Sequence, residues 1–558
     1  MNMNGHADLA LVNGSVYTVD AARSWAQAVG VRAGRIVAVG SDEDVREHIG
    51  SSTEVVDLQG RTLFPGFQDA HVHPPSGGLE MLRCDLNERF TLADYATVIA
   101  AYAAEHPDIP WILGGGWYMG AFPGGAPSKD ALDRLLPDRP AFLDSRDGHS
   151  GWVNSRALEL AGIDASTPDP ADGRIERQQD GSPSGTLHEG AMDLIRALAP
   201  PDTTADSAAG LRVAQTYLHS LGITAWQDAH VGLDTTYQTF DAYVQAAQCG
   251  DLTARVVGTL WWDRHRGDEQ IDGLVDARAR GKVGRFSPTS VKIMQDGVIE
   301  NFTAGMIEPY LDAEGRPTEN RGLSFVEPER LNGYVTKLDA LGFQVHFHAI
   351  GDRAVREALD AVEAARRENG PNDLRHHIAH IQVIHPDDLP RFRELGVVAN
   401  GQPLWAAHDS QMDELTIPFI GPERASGQYP FRSLVASGAV LAFGSDWSVS
   451  SPNPLDEMYL AIRRQAPPGY AELGEHIEEP FFPEERIDLP TAIAAFTMGS
   501  AYVNHLDDVT GSIEVGKEAD LVAFDRDLFE GPIEEIRDAS VELTLVAGER
   551  VHAAGSLT

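Results

Sequence analysis

The chain has 558 residues, 42% of them hydrophobic, with 84 acidic against 44 basic side chains and a formal net charge of −40. That length is too great for one small domain, and so acidic a surface disfavours nucleic acid and anionic membranes as partners. No apolar run is long enough to span a bilayer and no secretory leader is recognisable; Cys84 and Cys249 make neither a disulfide framework nor a zinc knuckle, so a reducing cytoplasm is the expected compartment.

Residues 7–60 alternate apolar and polar positions between Asn-Gly and Ala-Gly turns, as short strands do. The C-terminal stretches 511–525 and 541–553 have the same texture. The two ends, 1–62 and 507–558, are therefore expected to pair into one small composite β-sandwich domain. Between them, 63–506 alternates apolar runs with helical segments. Eight strand candidates follow in order: 63–73, 224–230, 254–262, 290–296, 343–350, 376–382, 397–403 and 439–447. Residues 352–369 have helical apolar spacing with Asp352 near the start, where a carboxylate suits the helix dipole. Eight strand–helix units predict an α/β fold, a (β/α)8 TIM-type barrel. A doubly wound sheet is the competitor, but no Gly-rich dinucleotide loop follows the first strand. Residues from about 112 to about 210 fit no simple unit. Their run "GGGWYMGAFPGGAPS" reads as a long loop or lid over the barrel mouth, with part of a helical insertion after it.

Functional side chains of such barrels sit at the C-terminal strand ends. Strand one ends in His71 and His73, which share one side of the strand because residues i and i+2 do. Strand five ends with His348, strand six carries His380, and strand eight ends in Asp446. Each alone has a bland reading, as a satisfied core histidine or a helix cap. Together they make a metal site whose imidazole and carboxylate donors suit zinc or another divalent transition ion. His346, His376 and His377 are left as structural, because neighbours on the same strands serve better. Lys292, one of only five lysines, lies inside an apolar strand. There it is either ion-paired with an acid such as Asp296 or carboxylated to an anionic oxygen ligand. Glu189, in the insertion, is a rival acidic ligand, a substrate contact or a helix cap. Trp117, Tyr118 and Phe122 are either substrate contacts or lid packing.

The stretches "PGFQDAHVH", "SVKIMQDG", "HFHAIGDRAV", "HIAHIQVIHPDDLPRF" and "GSDWSVSSPNPL" resemble the amidohydrolase superfamily, in particular its amidohydrolase-3 branch of YtcJ-like proteins and N-substituted formamide deformylases. The resemblance runs over nearly the whole chain, including "LVNGSVYTVD" and "GSIEVGKEADLVAFD" at its ends. It implies a metal-dependent hydrolase with one or two divalent ions, a small-molecule substrate and a homodimer. It further implies that His71, His73, His348 and His380 are ligands, that Lys292 is a carboxylated ligand, and that Asp446 is both ligand and proton carrier. "DGHSGWVN" (147–154) matches the branch's insertion and makes His149 a substrate contact. One departure stands out: Ala379 replaces the glutamate usual before the strand-six histidine, which leaves the contact to His380 missing or supplied by Gln382.

A bound metal lowers the pKa of water from about 15.7 toward about 7 and polarises a carbonyl. Asp446 then accepts the proton and passes it to the leaving atom of an amide, carbamate or ester. A heterocycle deaminase of the same superfamily is the alternative, disfavoured by Lys292. A non-catalytic barrel scaffold is a third, disfavoured by the intact ligand set.

Overall fold

All eight apolar runs become strands of one parallel sheet: β1 (Phe67–Val72), β2 (Ile223–Val231), β3 (Arg255–Trp261), β4 (Phe286–Met294), β5 (Gln344–Ala349), β6 (His377–His380), β7 (Val398–Gly401) and β8 (Leu441–Phe443). They come from a computed structural model that describes residues 5–233, 238–466, 476 and 479–557. Each strand hydrogen-bonds to the next in sequence, from β1 through to β8. Such strands, covered on both faces, need apolar side chains throughout, which is why they are legible as uninterrupted runs.

The sheet closes where β8 runs on past its last ladder bond. The Asp446 N–H donates to the His71 carbonyl (2.7 Å), and the His73 N–H donates to the Trp447 carbonyl (2.9 Å). Buried Asp69 ties the same seam, accepting from the backbone N–H groups of His71 (3.0 Å) and Ser445 (3.1 Å) and from the Ser445 hydroxyl (2.6 Å). Burial pushes its carboxyl up to about 7. Gly444 makes this approach possible, since a Cβ there would lie 2.4 Å from the His71 nitrogen.

The first predicted strand is in fact two. Thr62–Pro65 belongs to a six-stranded sheet with Ser15–Tyr17, Trp25–Ala26 and the C-terminal strands Leu521–Phe524, Val541–Val546 and Glu549–Ala553. The chain turns into the barrel at Gly66, where a Cβ would meet the Thr224 side chain at 2.3 Å. A second, four-stranded sheet holds Leu9–Val12, Ala28–Arg32, Arg35–Gly40 and Glu54–Asp57. Leu9, Leu11, Val29, Val31, Leu63, Leu521, Leu543 and Leu545 form one buried cluster between the two sheets.

The stretch read as a loop or lid is instead a six-stranded sheet with its own helices. It begins earlier than expected, at Cys84–Asp85, and continues through Ile112–Trp117, Ala141–Ser145, Ser150–Val153, Gly173–Arg177 and Pro183–Glu189. The Gly-rich run forms part of its second strand because the neighbours come so close: a Cβ on Gly114 would lie 2.1 Å from the Cys84 carbonyl oxygen. No helix among the described residues is long and apolar enough to cross a membrane.

Candidate metal centre

The rim closure of β1 against β8 brings three donors together. His71 Nε2 lies 3.2 Å and His73 Nε2 2.9 Å from the same Asp446 carboxylate oxygen. Among the described residues these three side chains form the one His/Cys/Asp/Glu group whose donor atoms all lie within 4.8 Å of one another. Ligands of a tetrahedral ion with bonds of about 2.0–2.2 Å stand about 3.3–3.6 Å apart, so the group fits a cation with little adjustment. The protonation states fit as well. Burial, assisted by the neighbouring Lys292, pushes the His71 imidazole down to about 3, so it keeps a lone pair. Burial opposes ionisation of Asp446, but the imidazoles of His71 and His73 outweigh it and hold the carboxyl well below its ordinary range. Asp446 adopts a left-handed backbone (φ 56°), as do His380 (80°) and Glu189 (52°). Non-glycine residues rarely rest there, and where they do the strain concentrates at functional sites.

Lys292 reaches the same point from β4. Its side chain is 2% exposed as a residue, and Nζ lies 3.3 Å from His71 Nε2. Desolvation pushes the amine down to about 7 against the opposing fields of Asp446 and Asp228. Asp296, the expected ion-pair partner, is engaged elsewhere. Its carboxylate accepts from the N–H groups of Ile350 (3.0 Å), Gly351 (2.9 Å) and Gly305 (2.9 Å) and sits 3.2 Å from His348 Nδ1. That contact fixes the His348 ring with Nε2 as its lone-pair nitrogen.

His348 and His380 lie beside the triad without entering its donor group. The His380 ring is 4.8 Å from that of His71 and 4.5 Å from that of His348, centroid to centroid. Its Nδ1 is 3.0 Å from Gln402 Oε1 and 3.9 Å from Asp446 Oδ2. The contact expected from Gln382 therefore comes from Gln402 on the following strand end. The left-handed turn at His380 and Ile381 carries Gln382 away, to donate to Gln428 (2.8 Å).

The insertion adds a second pair. His149 Nδ1 lies 2.9 Å from Glu189 Oε1, and the His149 ring stands 5.4 Å from His348. Glu189 also accepts from the Thr303 hydroxyl (2.9 Å), and Gly297 leaves it room, since a Cβ there would be 2.3 Å from Oε1. Burial works against charge in both groups, but each stabilises the other: His149 rises to about 9 and Glu189 falls below its ordinary value. Glu189 is thus the partner of His149 and lies outside the donor group. Trp117 needs correction as a substrate contact. Its ring is fully buried among Tyr95, Phe122 and Trp152 in the insertion's own core, and Nε1 donates to the Leu143 carbonyl (2.8 Å). Phe122 packs in the same core.

His346, expected to be structural and not to ligate, supports the site through His71. Its Nε2 is 2.8 Å from His71 Nδ1, so it turns the His71 ring to face Asp446. The signal was present in "HFH": His346 stands two residues before His348 and so on the same side of β5.

A model of the amidohydrolase family matches residues 54–552, nearly the full chain. The chain belongs to the amidohydrolase family. It is therefore an enzyme of that family, a metal-dependent hydrolase of carbon–nitrogen bonds other than peptide bonds. Curated relatives match over nearly their full length. The chain is 32% identical to the protein LONG AFTER FAR-RED 3 of Arabidopsis thaliana, over 98% of this chain and 92% of that one. It is 28% identical to the N-substituted formamide deformylase of Arthrobacter pascens, over 97% of each. An uncharacterised metal-dependent hydrolase from Pyrococcus furiosus has the same fold, with a TM-score of 0.70 at 25% identity, covering 93% of this chain and 99% of that one.

Proposed function

We propose that this amidohydrolase cleaves the carbon–nitrogen bond of an amide-type small molecule, an N-acyl or N-formyl amine or a carbamate. The observation that carries the reading is the convergence of His71, His73 and Asp446 on one point, with buried Lys292 against it. A divalent transition ion, zinc first, supplies an acidified water and a polarised carbonyl when bound there. His71 and His73 hold it through Nε2, oriented in the first case by His346. Asp446, ionised and wedged between two imidazoles, takes the proton of the attacking water and returns it to the leaving nitrogen. Among the described residues Lys292 has no carboxylate within ion-pair distance, and its depressed basicity exposes the amine lone pair. Addition of carbon dioxide at Nζ with loss of a proton would make Lys292 a carbamate whose oxygen could serve as a further ligand, and His348 and His380 would be the imidazoles to hold an ion beside it. The deformylase relative supports the amide class. Family resemblance is what supports a homodimer, and the cysteine usage is what supports a cytoplasmic location.

Metal-loaded protein is expected to hydrolyse members of a panel of N-formyl amines, N-acyl amines and carbamates, read as released amine. Ammonia release from aminated heterocycles, with no turnover of the panel, would establish the deaminase alternative instead. Metal-free protein with an unchanged melting curve and no turnover would establish the scaffold.

The His149–Glu189 pair predicts a pH limb. The imidazolium is present throughout the neutral range and is lost only as pH rises through about 9. A charged His149 that donates to the substrate carbonyl therefore holds kcat/KM up to that pH and lets it fall beyond. In His149→Gln the alkaline limb should be absent and kcat/KM lower by about tenfold to a hundredfold, as for loss of one charged hydrogen bond. An unchanged limb in the variant would assign it to another group.

A further inference from the structure

We infer that Arg146 selects the substrates of this hydrolase, and that those substrates carry a carboxylate. The inference rests on the amide-hydrolase reading above. Four arginines among the described residues have buried side-chain nitrogens without a hydrogen-bond partner: Arg146, Arg174, Arg353 and Arg463. Three of them are in ion pairs, with Glu176, Glu357 and Glu534. Among the described residues Arg146 is in none, although the chain has 84 acidic residues. A guanidinium is always charged, and leaving one buried and unpaired is destabilising unless something else uses it.

The unpartnered atoms are Nε and Nη2. These form one edge of the guanidinium, the edge that grips a carboxylate with two parallel bonds. Arg255 shows that grip elsewhere in the molecule: its Nε and Nη2 donate to the two oxygens of Asp520 at 2.7 and 3.1 Å. The cradle around Arg146 is apolar. Its guanidinium carbon lies 5.0 Å from the Phe90 ring centroid and 5.6 Å from that of Tyr118. Asp409 is the acid whose field reaches it, but the two form no ion pair. The two rings pack edge to face, with centroids 6.0 Å apart; a carboxylate would meet the unpartnered Nε–Nη2 edge beside them, where the low local dielectric strengthens the pair. Phe90 is the more exposed of the two rings.

The position suits recognition of a substrate's far end. Arg146 and His149 leave the same short connection between Ala141–Ser145 and Ser150–Val153. It is closed by the Gly148 N–H donating to the Ser145 carbonyl (3.0 Å) and by Asp147, which accepts from the Ser145 hydroxyl and the His149 N–H. Three residues of chain span at most about 11 Å, so the backbone that carries Arg146 stays within that distance of the backbone of His149, whose ring stands beside His348. From the other side, the Tyr118 hydroxyl accepts from the Gln411 N–H (3.1 Å), on the segment that also stacks Trp405 on His380.

The test uses matched pairs that differ only in charge: N-formyl and N-acetyl amino acids and succinyl monoamides, each against its primary-amide counterpart. Metal-loaded wild type is expected to favour the acids in kcat/KM by at least about tenfold. Arg146→Met should abolish that preference, keep turnover of the neutral members within about threefold, and retain its melting temperature; Arg146→Lys should restore part of the preference. Calorimetric binding of N-acetylglycine against N-acetylglycinamide is the second readout, with the acid bound tighter by wild type and no longer so by Arg146→Met. Equal treatment of acid and amide by wild type, or a variant that weakens both members alike, would overturn the inference. If no panel member turns over, the amide-hydrolase reading fails by itself, and the calorimetric pair still decides the role of Arg146.

Discussion

Asp446→Asn is expected to lower kcat by about a hundredfold to ten-thousandfold, the range for loss of a positioned general base, while the melting temperature and most of the bound metal are retained. Asparagine keeps the size of the side chain and one oxygen for His71 and His73, whose Nε2 atoms now stand 3.2 and 2.9 Å from Asp446 Oδ1. What it lacks is the negative charge that accepts a proton. The backbone bond from residue 446 to the His71 carbonyl is unaffected, so the barrel seam stays closed. Metal content by atomic emission, circular dichroism and single-turnover kinetics on the same preparation separate the effects. Near-normal turnover would remove Asp446 from the proton path. Loss of metal in step with activity would make it a ligand alone.

The second large effect is expected at Lys292. Replacement by alanine removes a buried amine 3.3 Å from His71 and leaves a space at the point where the donors meet. We expect a fall in metal content and a loss of kcat/KM of at least about a hundredfold, equivalent to about 2.7 kcal/mol. Added acetate or formate should recover part of both, because a short carboxylate supplies the oxygens of the missing carbamate. Lys292→Arg separates this from a simple need for positive charge, since an arginine cannot be carboxylated and should behave like alanine. Full metal and activity in either variant would make Lys292 a structural residue. Mass spectrometry under native conditions gives an independent reading, with a carbon dioxide adduct of about 44 Da expected on wild type and absent from Lys292→Ala.

What was legible from the residues follows from how each part is stabilised. The barrel strands could be read because parallel strands covered on both faces must be apolar, and each run was punctuated by the polar residues that the rim requires. His71 and His73 could be read because period two is a property of one strand and needs no tertiary information. The roles of His346, Asp296 and Gln402 could not, because each acts across the sheet on a ligand from another strand. The register that brings His346 opposite His71 is set by barrel closure, about 275 positions apart in sequence. Gln382 was the wrong partner for His380 because the left-handed backbone at His380 and Ile381 carries it away to Gln428, and nothing in "HIQ" announces that turn. Trp117 and the Gly-rich strand failed together. Glycine ordinarily marks a loop, but here it permits a close backbone approach that any side chain would block, since a Cβ on Gly114 would lie 2.1 Å from the Cys84 carbonyl oxygen, and Trp117 on the same strand fills the insertion's core.

The measurement that bears most directly on the centre is anomalous diffraction from crystals of the active, metal-loaded protein at the metal's absorption edge. A peak within about 2.5 Å of Nε2 of both His71 and His73 and of an Asp446 carboxylate oxygen is the predicted result. A fully active crystal with its metal bound anywhere else, or with none, would contradict it.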